Sequence, residues 1–280
     1  MTLLVFLSAL LSAMTHAGWN AAARSRDDPS GAVTATVVMA GVVAIPFVIW
    51  LGLPPVSALP WLGLGTVVNL ISLRLLMATY RAMPFAMGYP IFRGSIPLAI
   101  VAMNFIFLPE QVPHSFGLIG IILISAGVML LARSGRKIEN IGIKPLLLAI
   151  SGGFFAGAYV LTDVMGIHAS GNAIVYGMAA AMINSISMPI ALKLEGMQVG
   201  AMLRKNLAFG TLASIVSMIS YGFFLYALTH GPVGPVSAIR ETSVLFALLI
   251  AVVTLKERVG PMRWLACALG FTGAALLRLY

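Results

Sequence analysis

The sequence predicts an all-α polytopic membrane protein, with ten transmembrane helices arranged as two inverted five-helix repeats. Three observations predict it. The chain of 280 residues is 60% hydrophobic and only 9% charged, whereas a soluble domain carries roughly a quarter charged residues to keep its exterior wet. Apolar runs of about 20 residues, long enough to cross ~30 Å of hydrocarbon as a helix, recur from one end to the other. The Lys and Arg residues fall in alternate connections between those runs. The ~10-residue alternating segments of a membrane barrel are missing from the sequence.

The spacing predicts spans over Thr2–Ala23, Gly31–Leu51, Ala58–Tyr80, Phe85–Phe107 and Ser115–Ala132 in the first half. In the second half it predicts spans over Pro145–Asp163, Asn172–Leu192, Leu207–Thr229, Gly234–Thr254 and Met262–Leu279. The connections are short and carry breakers: Asp28-Pro29, Pro54-Pro55, Pro109, Gly231-Pro232 and Gly260-Pro261. No positive segment precedes the first apolar run, so it reads as a span and not as a cleaved signal peptide.

Charge sets the expected orientation. Arg24, Arg26, Arg81, Arg133, Arg136, Lys137, Lys144, Lys193, Arg204, Lys205, Lys256, Arg258 and Arg263 all follow odd-numbered spans; they are 13 of the 17 basic residues. Only Arg278 falls on the other side, and Arg74, Arg93 and Arg240 fall within spans. The positive-inside rule then puts both termini outside the cytoplasm. The net charge of +9 is explained by this topology, so nucleic acid is not an expected partner. The lone Cys267 rules out a disulfide framework and offers no basis for a Cys-based metal site.

The two halves resemble each other, which divides the chain at 1–137 and 138–280. Arg93 and Glu110 are separated by 17 residues, as are Arg240 and Glu257, at an offset of 147. His16-Ala-Gly-Trp19 falls on Ala156-Gly-Ala-Tyr159 at a slightly different offset. Two units of five spans each must be oppositely oriented, and such inverted repeats place a substrate site between them near the midplane.

The motifs His16-Ala-Gly-Trp19-Asn20, Tyr89-Pro90-Ile-Phe-Arg93-Gly-Ser95, Ala238-Ile-Arg240-Glu241-Thr242-Ser243 and Leu255-Lys-Glu257-Arg258 resemble the drug/metabolite transporter superfamily. The resemblance is to its ten-span EamA-like members and covers essentially the whole chain. It implies export of amino acids, drugs or other metabolites through a cavity bounded by spans one, three, four, six, eight and nine. It also implies peripheral packing roles for spans five and ten. The chain departs from the four-span multidrug relatives in one respect: its first span holds no carboxylate, and His16 and Asn20 are its strongest polar groups.

Polar groups inside a membrane should face the bundle interior or a wet cavity. Ser8, Ser12, Thr15, His16 and Trp19 form one stripe on the first span, either a cavity wall or a set of interhelical hydrogen bonds. Arg93 lies about 12 Å into the fourth span, too deep to reach water easily, with Tyr89 one turn before it. Arg93 and its repeat-mate Arg240 could clamp a substrate carboxylate or phosphate through their forked guanidiniums, or they could bond backbone carbonyls and a neighbouring acid. The candidate substrate-binding residues are therefore His16, Trp19, Asn20, Tyr89, Arg93, Tyr159, Asn184, Tyr221 and Arg240. Glu241 is the candidate for proton coupling. Asp163 could also couple to protons if it were buried, but at the outer end of the sixth span it reads first as solvent-exposed. Gly120, Ser125 and Gly127 in the fifth span and Ala266, Gly270 and Ala274 in the tenth permit close packing or a homodimer contact. Gly152, Gly153 and Gly157 in the sixth span read as hinges or static kinks.

The expected function is a secondary transporter of the bacterial inner (plasma) membrane that exports a small amino-acid-like or organic-anion metabolite. The alternative is a multidrug exporter of lipophilic cations, which needs an essential buried acid. The sequence holds no metal-ligand spacing, no paired carboxylates and no nucleophile beside a base, so enzyme chemistry, a metal and a cofactor are all unexpected. The expected partners are a small-molecule substrate and the lipid bilayer.

Overall fold

The computed structural model describes residues 1–133, 142–255 and 260–280, with residues 254 and 255 described by backbone alone. The division at 137/138 and the residues Arg136, Lys137, Lys256, Glu257 and Arg258 lie outside the described residues. Eleven α-helices build ten spans among those described: α1 (Leu3–Arg24), α2 (Pro29–Leu51), α3 (Leu59–Ala82), α4 (Phe85–Phe107), α5 (Ser115–Leu130), α6 (Ile143–Ser170), α7 (Ala173–Leu194), α8 (Val199–His230), α9 (Val233–Glu241), α10 (Ser243–Leu255) and α11 (Pro261–Leu279). No strand occurs among the described residues.

Local chemistry starts and stops these helices. Thr2, Asp28 and Asn172 are N-caps whose side chains accept from the first free amides of α1, α2 and α7, which satisfies donors that have no partner inside the helix. Gly171 ends α6 in the left-handed region at φ 68°, a conformation that costs glycine little. Two spans outrun their expected lengths. α6 has 28 residues and α8 has 32, or about 42 and 48 Å of helix. Both exceed the hydrocarbon thickness, so both must tilt or protrude.

The ninth span departs from the expected single helix. It is split between α9 and α10 at Thr242, whose amide and hydroxyl both meet the Ile239 carbonyl, at 3.1 and 2.6 Å. This tightened turn falls beside the only two charged residues of that span, Arg240 and Glu241.

The helices pack against partners from both halves of the chain. α3 lies on α6 and α1 on α8; α2 packs on α7 and α8; α4 lies on α5 and α6; α5 lies on α11. The main core joins Phe92, Ile96 and Ile100 of α4 to Val160 and Val164 of α6, and to Phe224, Val236, Ile239 and Leu245 of α8, α9 and α10. Exposed Ile49, Trp50, Phe105, Ile106 and Phe116 cover the outside, as lipid-facing positions should.

Glycine lets two of these contacts close. A Cβ on Gly153 would meet Ser95 Oγ and, at 2.5 Å, the Phe92 carbonyl oxygen, so this residue is needed where α6 crosses α4. A Cβ on Gly273 would stand 2.6 Å from the Gly120 carbonyl oxygen. The small faces of α5 and α11 therefore meet each other within the chain. Ser12 also takes a packing role: the Ser220 hydroxyl donates to its carbonyl at 2.8 Å, tying α1 to α8.

Candidate functional site

Pro90 and Pro97 interrupt the hydrogen-bond ladder of α4 on either side of Arg93, because proline has no amide hydrogen. From this helix Arg93 reaches the turn between α9 and α10. Its Nε lies 2.7 Å from Glu241 Oε2, with the two side chains only 13% and 5% exposed. Its Nη2 donates to Ser243 Oγ at 3.0 Å. Residues 241 and 243 flank Thr242, so the split in the ninth span is what presents a carboxylate and a hydroxyl to the same guanidinium.

Around this pair lies an aromatic and cationic vestibule. Phe85 and Tyr89 are stacked with centroids 5.1 Å apart, and Tyr80 lies 4.9 Å from Phe85. The Arg24 guanidinium sits over both Phe85 and Tyr89, at 4.2 and 4.4 Å. Arg93 lies 5.7 Å from the Tyr89 ring on the interior side. A cavity of about 250 Å³ opens here, lined by His16, Asn20, Arg24, Tyr89, Ser243 and Arg263 among others. That volume falls below the ~300–1,000 Å³ typical of drug-sized ligand pockets. Its rim residues Arg24 and Arg263 place the mouth at the end of the bundle where the basic connections gather. His16 meets Trp19 edge-on at 5.3 Å, and Asn20 donates to the His16 carbonyl at 2.9 Å. Trp19 Nε1 is buried without a hydrogen-bond partner.

A second cluster lies deeper, on α3, α6, α7 and α8. Asp163 is 1% exposed, which corrects its expected exposure: α6 runs on to Ser170, so residue 163 lies inside the span and not at its end. Its Oδ2 accepts from the Tyr221 hydroxyl at 2.9 Å, while its Oδ1 has no hydrogen-bond partner. Tyr159 sits beside Tyr221 and Asn184, and Asn69 donates to Asn184 Oδ1 at 3.2 Å. Tyr176 is fully buried at the flank of Asp163, and its hydroxyl donates to the Thr162 carbonyl at 3.4 Å.

Arg240 lies within electrostatic reach of both clusters. Its guanidinium carbon is 3.9 Å from the Phe224 ring centroid, a cation–π contact. Its Nε is buried without a hydrogen-bond partner. Among the described residues no carboxylate stands within ion-pair distance of it, since the ion pairs found there are Arg93–Glu241 and Arg74–Glu195.

The structure therefore sorts the candidate residues into two groups. His16, Trp19, Asn20, Tyr89, Arg93 and Glu241 gather on α1, α4, α9 and α10. Tyr159, Asn184 and Tyr221 gather on α6, α7 and α8, with Arg240 between the groups. Glu241 serves Arg93 and not the adjacent Arg240, as the opposed faces of neighbouring helical residues require. Arg24, Phe85, Ser243, Tyr176 and Phe224 are not among the candidate binding residues that the sequence offers. For Phe85 and Tyr89 the i,i+4 spacing was a signal; for Ser243 no local signal exists, because its partner is 150 residues away. No group of three His, Cys, Asp or Glu residues able to hold a metal occurs among the described residues.

Ten apolar spans among the described residues, around an interior that holds buried polar side chains, define an integral membrane protein. The EamA-like transporter family model, part of the drug/metabolite transporter superfamily, matches residues 143–279, which run from α6 to α11. No curated protein matches the chain. A solved structure described only as a crystal structure of protein is similar over 99% of this chain and 96% of its own, with a TM-score of 0.72 and 18% identity. At that identity the likeness speaks for the fold alone, over both halves.

Proposed function

We propose that this protein is a secondary transporter that exports a small amino-acid-like or organic-anion metabolite by alternating access. The observation that carries the reading is Arg240: a partly buried guanidinium packed on Phe224, its Nε buried without a hydrogen-bond partner, and with no carboxylate at ion-pair distance among the described residues. A charge held in the membrane interior costs several kcal/mol unless paired, and an anionic group on a bound solute would relieve that cost. Trp19 Nε1 supplies a further unused donor. His16, Asn20, Tyr89, Tyr159, Asn184 and Tyr221 are all partly exposed and would form the polar walls of the path. Arg93 would take part indirectly, by holding the broken ninth span through Glu241 and Ser243.

The two-repeat arrangement is part of this proposal. It is supported by the reciprocal packing of α3 on α6 and α1 on α8, and by the central contacts α2 with α7 and α5 with α11. The basic end would face the cytoplasm of a bacterium, making the vestibule at Arg24 and Tyr89 the entry for export. A homodimer through spans five and ten would use outward residues such as Phe116, Ile119, Trp264 and Leu265, all exposed.

The test is flux of labelled amino acids and small organic anions in proteoliposomes, with Arg240→Gln beside the parent. Saturable flux of an anion or zwitterion, lost in a folded Arg240→Gln variant, supports the reading. Movement of lipophilic cationic dyes instead, unaffected by Arg240→Gln, overturns it in favour of a cation exporter.

A further inference from the structure

The interior holds two carboxylates in different circumstances. Glu241 has Arg93 at 2.7 Å, and a proton placed on it would strand that guanidinium in a buried site, which is costly. Asp163 has no such tie. It is 1% exposed, accepts from Tyr221 on Oδ2 at 2.9 Å with the Tyr176 and Tyr159 hydroxyls also near the carboxylate, and leaves Oδ1 without a geometric hydrogen-bond partner.

Three of the elements packed against α6 bring polar or charged groups to Asp163. α7 brings Tyr176, α8 brings Tyr221 and α9 brings Arg240, while Tyr159 lies one turn back on α6 itself. Among the described residues α3, α4 and the 56–58 turn bring no charged group to it. All three tyrosines are neutral phenols unless strongly perturbed, and Arg240 stands outside ion-pair distance. A buried carboxylate must be paired, fully hydrogen-bonded or neutral, and Asp163 is neither paired nor fully bonded.

We infer that Asp163, rather than Glu241, is the protonation site of this protein, with the proton carried on Oδ1 while Oδ2 accepts from Tyr221. A solute cation on Oδ1 would need room that a 1% exposed side chain does not offer, whereas a proton needs none. Tyr221 and Tyr159 are partly exposed, so the cluster lies one side chain away from accessible space. The charge on Asp163 is felt by Arg240, which links this proton to the residue proposed above to hold the solute anion. The inference rests on the transporter reading for its consequence, but its test does not.

The test is infrared difference spectroscopy of the purified full chain in lipid, between acidic and alkaline buffer, with no solute present. A titrating carboxylic-acid carbonyl band is expected in the parent. It should be lost in Asp163→Asn and kept in Glu241→Gln. In Tyr221→Phe it should persist at higher frequency, because the carbonyl Oδ2 loses its donor; this variant reports on the site even where Asp163→Asn does not fold. A band that is missing from the parent, survives Asp163→Asn, disappears in Glu241→Gln or is unmoved by Tyr221→Phe overturns the inference. Because no solute is used, failure here is distinct from failure of the flux screen. Where flux is found, an imposed pH gradient should change its rate in the parent and leave the rate unchanged in Asp163→Asn.

Discussion

The two buried charge clusters have similar composition and opposite bonding. Around Arg93 the interior is closed: Glu241 at 2.7 Å and Ser243 at 3.0 Å meet the guanidinium. Around Asp163 and Arg240 it is open: neither has an ion-pair partner among the described residues. The first arrangement ties α4 to the break in the ninth span, which is a structural role. The second leaves both an acid and a base available to something that comes and goes. Depth in the membrane alone therefore does not identify a functional charge. Its partner does.

This contrast is most exposed to failure at Arg93. Arg93→Ala leaves Glu241 buried and unpaired, a change that costs about 3–5 kcal/mol in comparable buried pairs. Thermal unfolding of the detergent-solubilised protein should show that loss, and the double substitution Arg93→Met with Glu241→Leu should recover most of it. A single variant as stable as the parent would remove the structural reading of this pair.

Gly153→Ala should be the next largest effect. The added methyl meets the Phe92 carbonyl oxygen at 2.5 Å, and overpacking of this kind costs about 1–3 kcal/mol. The same substitution at Gly18, where an added Cβ has nothing within 4 Å, should be close to neutral. Equal melting points for the two variants would mean that α6 is not seated on α4 as described.

Arg240→Gln should alter stability by less than about 1 kcal/mol, within the ordinary range of single substitutions, since it strands no partner, while abolishing saturable solute flux. A stability loss as large as that of Arg93→Ala would erase the difference between the clusters. The smallest effect is expected at Ser220→Ala, which removes the bond to the Ser12 carbonyl. Hydrogen bonds between membrane helices average about 0.6 kcal/mol, so a chemical-denaturant series on the solubilised protein should find a shift of that order. A cost several times greater would show that this bond is more central to the α1–α8 contact than its geometry implies.

Much of this was legible in the residues. The ten spans follow from apolar length, and the motif around Tyr89, Pro90 and Arg93 placed a cation inside the fourth. The reading went astray at Asp163 because hydropathy fades near a polar residue, so the sixth span was ended there; in fact α6 continues to Ser170. Glu241 stood out as a buried acid, but nothing local to it could say that Arg93 already held it. Likewise Gly152, Gly153 and Gly157 read equally well as hinges, and only the proximity of Phe92 and Ser95 to the first two, and of Ile96 and Ile100 to the third, gives them their role in close packing.

The sequence by itself determined what depends on composition along the chain: the lipid environment, the number of crossings, the end where basic residues gather, and which side chains are too polar to face hydrocarbon. Those properties are sums over neighbouring residues, so no fold is needed to evaluate them. The tertiary structure alone decided the pairing of charges, because an ion pair or an orphaned atom is set by distances of a few ångströms between helices far apart in the chain. Arg93 and Glu241 are separated by just over half the sequence and Ser12 and Ser220 by 208 residues, and periodicity carries no information about which helix meets which.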